Sequence, residues 1–273
     1  LSSPEEAVQA INNFKLKYLL HCKSLENEHE TNNLPKKAYS SLLKDFSRDT
    51  MNLYKAGIEN TENIAKNLLI TDRHPIDDAA ILSSMCLIKI ALQDKEQGND
   101  LLKSKKVSHI LQAVLLLEFA WTHSKHNFQI SLLLLRLYTY LGCGSLAMRT
   151  YQRLGIRQVQ LDTLSYTFFD RISTFHPHPF DHLPDGITNN RSPTTDLKQQ
   201  QKFYAGVARH TSTNVWLSFK HGSYNSILEM RDASDRLQRS ISAISCDLEC
   251  RRISRLLESE INFDSLPKKY DDI

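Results

Sequence analysis

Residues 107–154 read VSHILQAVLLLEFAWTHSKHNFQISLLLLRLYTYLGCGSLAMRTYQRL, and this stretch decides the fold. Its apolar residues recur at the spacing of an α-helix, without the strict alternation that marks a half-buried β-strand. The pattern predicts three helices, at 107–123, 127–141 and 145–154, joined by turns of a few residues. Helices with such short connections pack as antiparallel neighbours. The centre of the chain is therefore predicted to consist of paired helices.

The same periodicity continues on both sides of this centre. Ahead of it, Pro4 and Asp77 indicate two helix starts, because proline suits the first turn and acidic residues suit the positive end of a helix. Behind it, further helices are predicted at 163–175, with Asp162 as the cap, at 195–219 and at 223–261.

The segment 176–194 interrupts this helical pattern. It holds four of the eight prolines of the chain together with several histidines. We interpret it as a Pro/His-rich loop or linker between a helical-repeat solenoid at 1–175 and a C-terminal region of long helices at 195–273. The predicted fold class is all-α, an irregular tetratricopeptide-like helical-repeat solenoid, or α-α superhelix.

Within the centre, the turn around Gly142 lies in a unit that resembles a tetratricopeptide repeat. Tyr138, Ala147 and Tyr151 stand at the spacings of that repeat, in which a small residue lets two helices approach and aromatic residues fill the space between them. The glycine of the repeat signature is absent, because Leu135 stands at its position. A plain pair of antiparallel helices therefore predicts nearly the same pattern.

Two charged residues, Glu118 and Arg136, fall inside the apolar helices of the central stretch. Buried charges need partners of opposite sign, since an isolated charge is costly to remove from water. We therefore expect these two residues to form a structural ion pair between neighbouring helices.

Composition excludes several classes of protein. The chain has 273 residues, 8 glycines, 8 prolines and 24% charged residues, which is an ordinary globular composition with few turn-formers. A net charge of +3 and a pI of about 8.5 are too mild for a dedicated nucleic-acid binder. Five scattered cysteines suggest a reducing compartment rather than a disulfide framework. No apolar run resembles a secretory signal or a membrane span, so we expect a cytoplasmic protein, and the missing initiator methionine suggests a piece of a longer one.

Several segments carry a resemblance to a known family. The chain is similar to the auxiliary, non-catalytic subunit of the NatB N-terminal acetyltransferase complex, most clearly over residues 70–180. The matching segments are RHPIDDAAIL at 73–82, HILQAVLLLEFA at 109–120, FQISLLLLRLY at 128–138 and QLDTLSY at 160–166, together with Leu141, Gly142 and Tyr151.

This resemblance implies a non-enzymatic scaffold in the cytosol. Members of the family wrap the catalytic acetyltransferase subunit in a superhelix of tetratricopeptide-like helices and help to place it at the ribosome. There the complex acetylates nascent chains that begin Met-Asp, Met-Glu, Met-Asn or Met-Gln. The resemblance implies no cofactor and no small-molecule ligand for this subunit itself. The alternatives are a generic helical-repeat adaptor for protein–protein interaction and a helical enzyme with its site in the loop 176–193.

Three groups of residues could carry chemistry, and each also has a plainer interpretation. The segment 152–157 approaches an acetyl-CoA loop, but Gly155 follows a helix, where exposed carbonyls would repel phosphate, so a helix C-cap is the better interpretation. His176, His178 and His182, together with Asp181, suggest a metal site, but the prolines between them make an extended arm that is more typical of a solvated loop. The cysteine pair at 246 and 250 shares a helix face without the second pair that a four-ligand zinc site needs.

Two surfaces are candidates for contact with a partner. The basic run Lys103, Lys105 and Lys106 could contact ribosomal RNA phosphates, or could be a solvated helix end. A stripe at heptad spacing extends from Ile227 to Leu248 on the long helix predicted at 223–261, and it includes Ser234, Leu237, Ile241 and Ile244. The stripe either packs against the helix at 195–219 or receives another subunit. Its charged opposite face is balanced in sign, which argues against a membrane-surface helix.

Overall fold

The structure, a computed structural model, describes residues 3–30, 36–66, 68–69, 71–93, 105–180 and 191–257. Every regular element in these residues is a helix, so the predicted all-α fold is confirmed. None of these helices combines enough length and apolarity to cross a membrane. The helices are α1 (Pro4–Glu30), α2 (Lys36–Glu59), α3 (Thr61–Ile64), α4 (Asp77–Gln93), α5 (Lys105–His123), α6 (Phe128–Tyr140), α7 (Gly144–Arg153), α8 (Val159–Leu164), α9 (Tyr166–Phe169), α10 (Ile172–Phe175), α11 (Pro193–Lys220), α12 (Tyr224–Gln238) and α13 (Ile241–Leu256).

The chain forms two compact units, residues 1–137 and residues 138–273. The division falls near the end of α6. The linker predicted at 176–194 does not coincide with this division and stays a prediction. Residues 181–190 of that segment lie outside the described part.

In the first unit, α4 is the central helix and packs against α2 and α5. The buried residues of α4 are mostly small ones, which lets its backbone approach both neighbours closely. Ser83 of α4 and Ser47 of α2 meet at this contact, where their hydroxyl oxygens are 2.8 Å apart. The other buried small residues of α4 are Ala79, Ala80, Ser84, Cys86 and Ala91.

The start of α4 is tied to several elements of the first unit. Asp77 is buried and accepts a hydrogen bond of 2.8 Å from the side-chain amide of Asn127. Asn127 in turn accepts the backbone N–H of Gln129 at 3.1 Å, and so caps the start of α6. Asp78 pairs with Arg73 and, at 2.5 Å, with Lys15 of α1. The segment 73–82, which carried part of the family resemblance, is therefore a structural junction.

In the second unit, three short helices replace the single helix predicted at 163–175. Arg171 adopts a left-handed conformation, with φ of 58°, and Asp170 before it is extended, so the chain turns between α9 and α10. Asp162 is not the cap of a helix here. Its carboxylate accepts hydrogen bonds from the Tyr204 hydroxyl at 3.1 Å and from the Ser240 hydroxyl.

The long helix predicted at 223–261 is also interrupted. Helix α12 ends at Gln238 and α13 begins at Ile241, because Ser240 adopts an extended conformation and its hydroxyl accepts the backbone N–H of Ala243 at 3.3 Å. Serine is a preferred N-cap residue, and a cap here separates two helices where apolar spacing alone predicts one. The heptad spacing across residues 227–248 is therefore not a continuous stripe on one helix.

Helix α13 is held against α10 by a buried carboxylate. Glu249 is almost fully buried and accepts the backbone N–H of Ser173 at 2.9 Å. Its other oxygen pairs with Arg252 at 2.7 Å. Because α10 begins at Ile172, this bond satisfies one of the unpaired N–H groups at a helix start.

Candidate interaction surfaces

The residues of the predicted repeat unit occupy a well-defined turn. Gly142 has φ of 74°, and its N–H donates to the Thr139 carbonyl at 3.2 Å. The N–H of Cys143 donates to the Tyr138 carbonyl at 2.9 Å. These two bonds form a Schellman motif, which ends α6 and lets α7 begin two residues later.

The side chains around this turn are buried. Tyr138 and Tyr151 are nearly inaccessible and Ala147 is fully buried. The Tyr151 ring stacks on Phe168 with 5.4 Å between ring centroids and meets Phe169 edge-on at 5.2 Å. Burial raises the pKa of the Tyr151 hydroxyl well above its ordinary value, so this group stays protonated. These residues serve packing rather than chemistry in the geometry described.

The two charges of the first unit differ in exposure. Glu118 is partly buried on α5, whereas Arg136 is exposed on α6. The expectation that both charges are buried is therefore wrong for Arg136, because its position on α6 faces away from the core. Their pairing stays a prediction.

The basic run of Lys103, Lys105 and Lys106 lies at the start of α5 and is only partly within the described residues. Lys103 lies outside the described residues, and the side chain of Lys105, the first residue of α5, is not described either. Lys106 is partly buried in the first turn of α5. Its contact with RNA stays a prediction.

The three apolar residues predicted to face a partner lie on two helices. Leu237 is partly buried on α12, while Ile241 and Ile244 are on α13. Ile241 is 83% exposed, whereas Ile244 is 36% exposed. Ser234, which belongs to the same predicted stripe, is buried. Ile241 is thus the member of the stripe that the second unit leaves most exposed.

A further exposed apolar surface, which was not predicted from the sequence, lies at the turn between α11 and α12. Trp216, Phe219 and Tyr224 form a continuous row of rings, which we call the aromatic tip. The Trp216 and Phe219 rings stack with centroids 5.9 Å apart, and Phe219 meets Tyr224 edge-on at 6.0 Å. Trp216 is 68% exposed and Tyr224 64% exposed. The signal in the sequence is three aromatic residues around a glycine turn between two otherwise polar helices.

No group suited to holding a metal is present among the described residues, which include His176 and His178 but not Asp181 or His182. His176 instead lies against the Phe180 ring, with 4.6 Å between the ring centroids. Gly155 has φ of 60° and donates its N–H to the Gln152 carbonyl at 3.1 Å, in agreement with the predicted helix C-cap.

The described cysteines, Cys86, Cys143, Cys246 and Cys250, are free thiols. Burial raises the pKa of the Cys246 thiol to about 12, and burial also raises the pKa of Cys250. The Cys246 thiol contacts the Leu197 carbonyl at 3.3 Å. A buried thiol with a raised pKa is a poor nucleophile, so this pair is a packing feature between α11 and α13.

Comparison with known proteins gives a consistent result. The family described as the N-acetyltransferase B complex (NatB) non catalytic subunit matches residues 2–273. The chain is 28% identical over 225 residues to N-terminal acetyltransferase B complex subunit arm1 of Schizosaccharomyces pombe, a match that covers 82% of this chain and 25% of that protein. It is 24% identical over 215 residues to N-alpha-acetyltransferase 25, NatB auxiliary subunit, of Homo sapiens, which covers 79% of this chain and 19% of the human protein.

A third relative is N-terminal acetyltransferase B complex subunit MDM20 of Saccharomyces cerevisiae, 30% identical over 158 residues, covering 56% of this chain and 19% of the yeast protein. The chain thus matches a quarter or less of the length of these curated relatives. The family match extends over nearly every residue, including the flanks in which sequence analysis alone identified no specific resemblance. The chain therefore belongs to the family of non-catalytic subunits of the NatB N-terminal acetyltransferase complex.

Proposed function

We propose that this chain is part of a scaffold that holds the catalytic subunit of a NatB complex. Family membership supports this role, because a non-catalytic subunit of an acetyltransferase complex acts through its contacts with the enzyme. The buried thiols and tyrosines of the described part also serve packing, which suits a structural subunit.

The observation that carries the proposal is the aromatic tip. Large contiguous patches of exposed apolar surface are rare on monomeric proteins and indicate an interaction site. Tryptophan and tyrosine are also the residues most often found at interface hot spots. We therefore assign Trp216, Phe219 and Tyr224 to the contact with the catalytic subunit, with Ile241 and Ile244 as a secondary surface.

The finer features of the function are proposed from the family resemblance. They are a cytoplasmic location, placement of the catalytic subunit at the ribosome, and acetylation of nascent chains that begin Met-Asp, Met-Glu, Met-Asn or Met-Gln. Lys103, Lys105 and Lys106 are the residues proposed to contact ribosomal RNA, because lysine clusters bind phosphates through charge.

The contact can be tested by labelling this chain alone. It contains two tryptophans, Trp121 and Trp216, so 5-fluorotryptophan gives two fluorine resonances. A Trp121→Phe variant assigns them. When the unlabelled catalytic subunit is added, we expect the Trp216 resonance to shift or broaden and the Trp121 resonance, from a partly buried ring on α5, to stay unchanged.

Binding measured by calorimetry gives the matched test. Trp216→Ala should weaken binding of the catalytic subunit by roughly 30-fold or more, the effect of a hot-spot residue worth about 2 kcal/mol. Leu115→Ala is the control, because Leu115 is as exposed as Trp216 but lies on α5 of the first unit. Equal affinity for the wild type and the Trp216→Ala variant would contradict the assignment of the aromatic tip.

The alternative function, a generic helical-repeat adaptor, predicts a different result. In that case the chain would show no saturable binding of the catalytic NatB subunit, although both fluorine resonances would report a folded protein.

A further inference from the structure

The first unit contains a groove of about 330 Å³ that the scaffold role leaves unexplained. Helix α2 forms one wall, and α4 and α5 form the floor and the other wall. All of its lining residues belong to residues 1–137, so the groove is complete within that unit. Its volume is in the range of sites that bind small ligands or short peptide segments.

The charge of the groove comes from α2 alone. Lys44, Arg48 and Lys55 lie along its wall, and no carboxylate is among the lining residues. The α4 and α5 side chains that complete the groove, including Ser83 and Gln112, are uncharged. The groove therefore presents three positive charges in a row.

The ion pair between Arg48 and Asp45 reduces this charge only slightly. The Asp45 carboxylate is 3.3 Å from Arg48, but both side chains are well exposed to solvent. Exposed pairs of this kind contribute little, and water screens them. Arg48 is therefore still available to a ligand, and Lys44 and Lys55 are exposed at either end of the row.

The floor of the groove is apolar. Its apolar lining residues are Met51 and Leu87, which are partly exposed, and Leu116, which is buried. The hydroxyls of Ser47 and Ser83 bond to each other at 2.8 Å, and Ser83 donates to the Ser47 carbonyl at 3.0 Å. Because these polar groups already have partners, the floor favours an apolar side chain over a polar one.

We propose that this groove binds an acidic peptide segment that carries an apolar side chain. The carboxylates would lie along the Lys44–Lys55 row, and the apolar side chain would contact Met51 and Leu87. The row extends over 11 helical residues, or roughly 16 Å. An extended chain covers this distance with about five residues, at ~3.3 Å each.

A peptide fits the groove better than an RNA strand does. Single-stranded nucleic acids are bound by stacking their bases on aromatic side chains, and none of the lining residues is aromatic. Phosphate contacts alone would leave the apolar floor unused. The combination of a cationic wall and an aliphatic floor matches a peptide with both acidic and apolar side chains.

The probe is a fluorescein-labelled peptide of sequence Glu-Glu-Leu-Glu-Glu, followed by fluorescence anisotropy with the whole 273-residue chain. We expect saturable binding that weakens as salt is added, because screening reduces charge interactions. Replacing the leucine of the probe with alanine should weaken binding by roughly tenfold, the effect of losing about 1.4 kcal/mol of apolar contact. Replacing its glutamates with glutamine should abolish binding.

Charge reversal in the chain locates the site. The double variant Lys44→Glu/Lys55→Glu should lose the peptide. The double variant Lys66→Glu/Lys125→Glu makes the same change in net charge at exposed lysines outside the groove and should keep it. Circular dichroism checks that both variants keep their helices. A Leu87→Asp variant tests the apolar floor and should also weaken binding of the peptide.

Four outcomes would overturn the proposal: no binding of the peptide, equal loss in both double variants, no preference for leucine over alanine, or tighter binding of a five-nucleotide RNA than of the peptide. The proposal is independent of the scaffold function. The Lys44→Glu/Lys55→Glu variant should still bind the catalytic subunit, and the Trp216→Ala variant should still bind the peptide.

Discussion

Two helix-to-helix turns in the second unit have the same backbone but opposite surroundings. At the first, Gly142 has φ of 74° and the N–H of Cys143 donates to the carbonyl five residues earlier at 2.9 Å. At the second, Gly222 has φ of 73°, and the N–H of Ser223 makes the same bond, also at 2.9 Å. Helix α7 after the first turn buries a whole face, whereas Ser234 is the buried residue of α12 after the second.

The difference lies in the size of the residues that follow each glycine. Two positions after Gly142 stands Gly144, and a Cβ atom there would be 2.6 Å from the His176 ring. Two positions after Gly222 stands Tyr224, whose ring is exposed in the aromatic tip. Gly144 lets α7 pack closely against its neighbours, whereas the large side chain of Tyr224 is exposed to solvent at the start of α12. The conformation of each turn thus depends on its glycine and local hydrogen bonds. The burial of the helix that follows depends on how closely that helix can pack against its neighbours.

The sharpest way to break this comparison is to shorten one side chain at the equivalent position of each hairpin. Met148 and Leu228 both stand six residues after their glycine, but Met148 is fully buried and Leu228 is 68% exposed. Met148→Ala should lower the free energy of unfolding by about 2–5 kcal/mol, because a cavity is left in a packed core. Leu228→Ala should change it by less than about 0.5 kcal/mol.

Urea unfolding followed by circular dichroism measures both changes. Similar losses in the two variants would mean that the second hairpin is packed as tightly as the first, and the aromatic tip would then not be a free surface.

Most of the helices could be predicted from the sequence, because helical periodicity and start signals are local. The starts at Pro4 and Asp77 agree with the structure, and Glu6 donates its N–H to the Ser3 hydroxyl as a cap requires. The break at Ser240 could not be predicted from apolar spacing, since it depends on a serine that caps α13 and also contacts Asp162 of α8. That second contact is 78 residues away in the chain.

Burial within a helix was harder to predict than the helix itself. In α1, Leu16, Leu19 and Leu20 are exposed, whereas Ala7, Ile11 and Tyr18 are buried. In α4, Met85 and Leu92 are exposed while the alanines are buried. Hydrophobic size alone does not indicate the buried face when close helix contacts favour small residues. For the same reason, the exposure of large residues such as those of the aromatic tip could not be predicted from their hydrophobicity.

The comparison is sharpened by replacing the two glycines themselves. A Cβ atom at Gly142 or Gly222 would meet nothing within 4 Å, so neither substitution causes a clash. The cost of Gly142→Ala and of Gly222→Ala is then the cost of a left-handed backbone for alanine, about 1–2 kcal/mol in each case. We expect thermal unfolding to show equal losses for the two variants, although one hairpin is buried and the other exposed. A much larger loss at Gly142 would mean that burial contributes to the turn after all.

The smallest expected effect concerns how stability depends on pH at the N-terminal end of α11. The aromatic tip lies at the other end of this helix. Asp196 is buried in the first turn of α11, and Arg191 donates to its carboxylate at 2.7 and 3.0 Å. Burial raises the pKa of the Asp196 carboxyl above its ordinary value, although the Arg191 guanidinium opposes this shift. A group with a raised pKa in the folded state stabilises the protein fully below its unfolded pKa, and this contribution is lost as the pH rises through the folded pKa.

The Asp196→Asn variant cannot titrate, so it isolates this contribution. The free energy of unfolding of the wild type minus that of the variant should be greater at pH 4 than at pH 7, because the raised pKa favours the protonated carboxyl in the folded state. Urea unfolding at a series of pH values measures the difference. A difference that grows from pH 4 to pH 7 would mean that the Arg191 ion pair outweighs burial. The first turn of α11 would then be held mainly by the ion pair between Arg191 and Asp196 rather than by burial of the carboxyl.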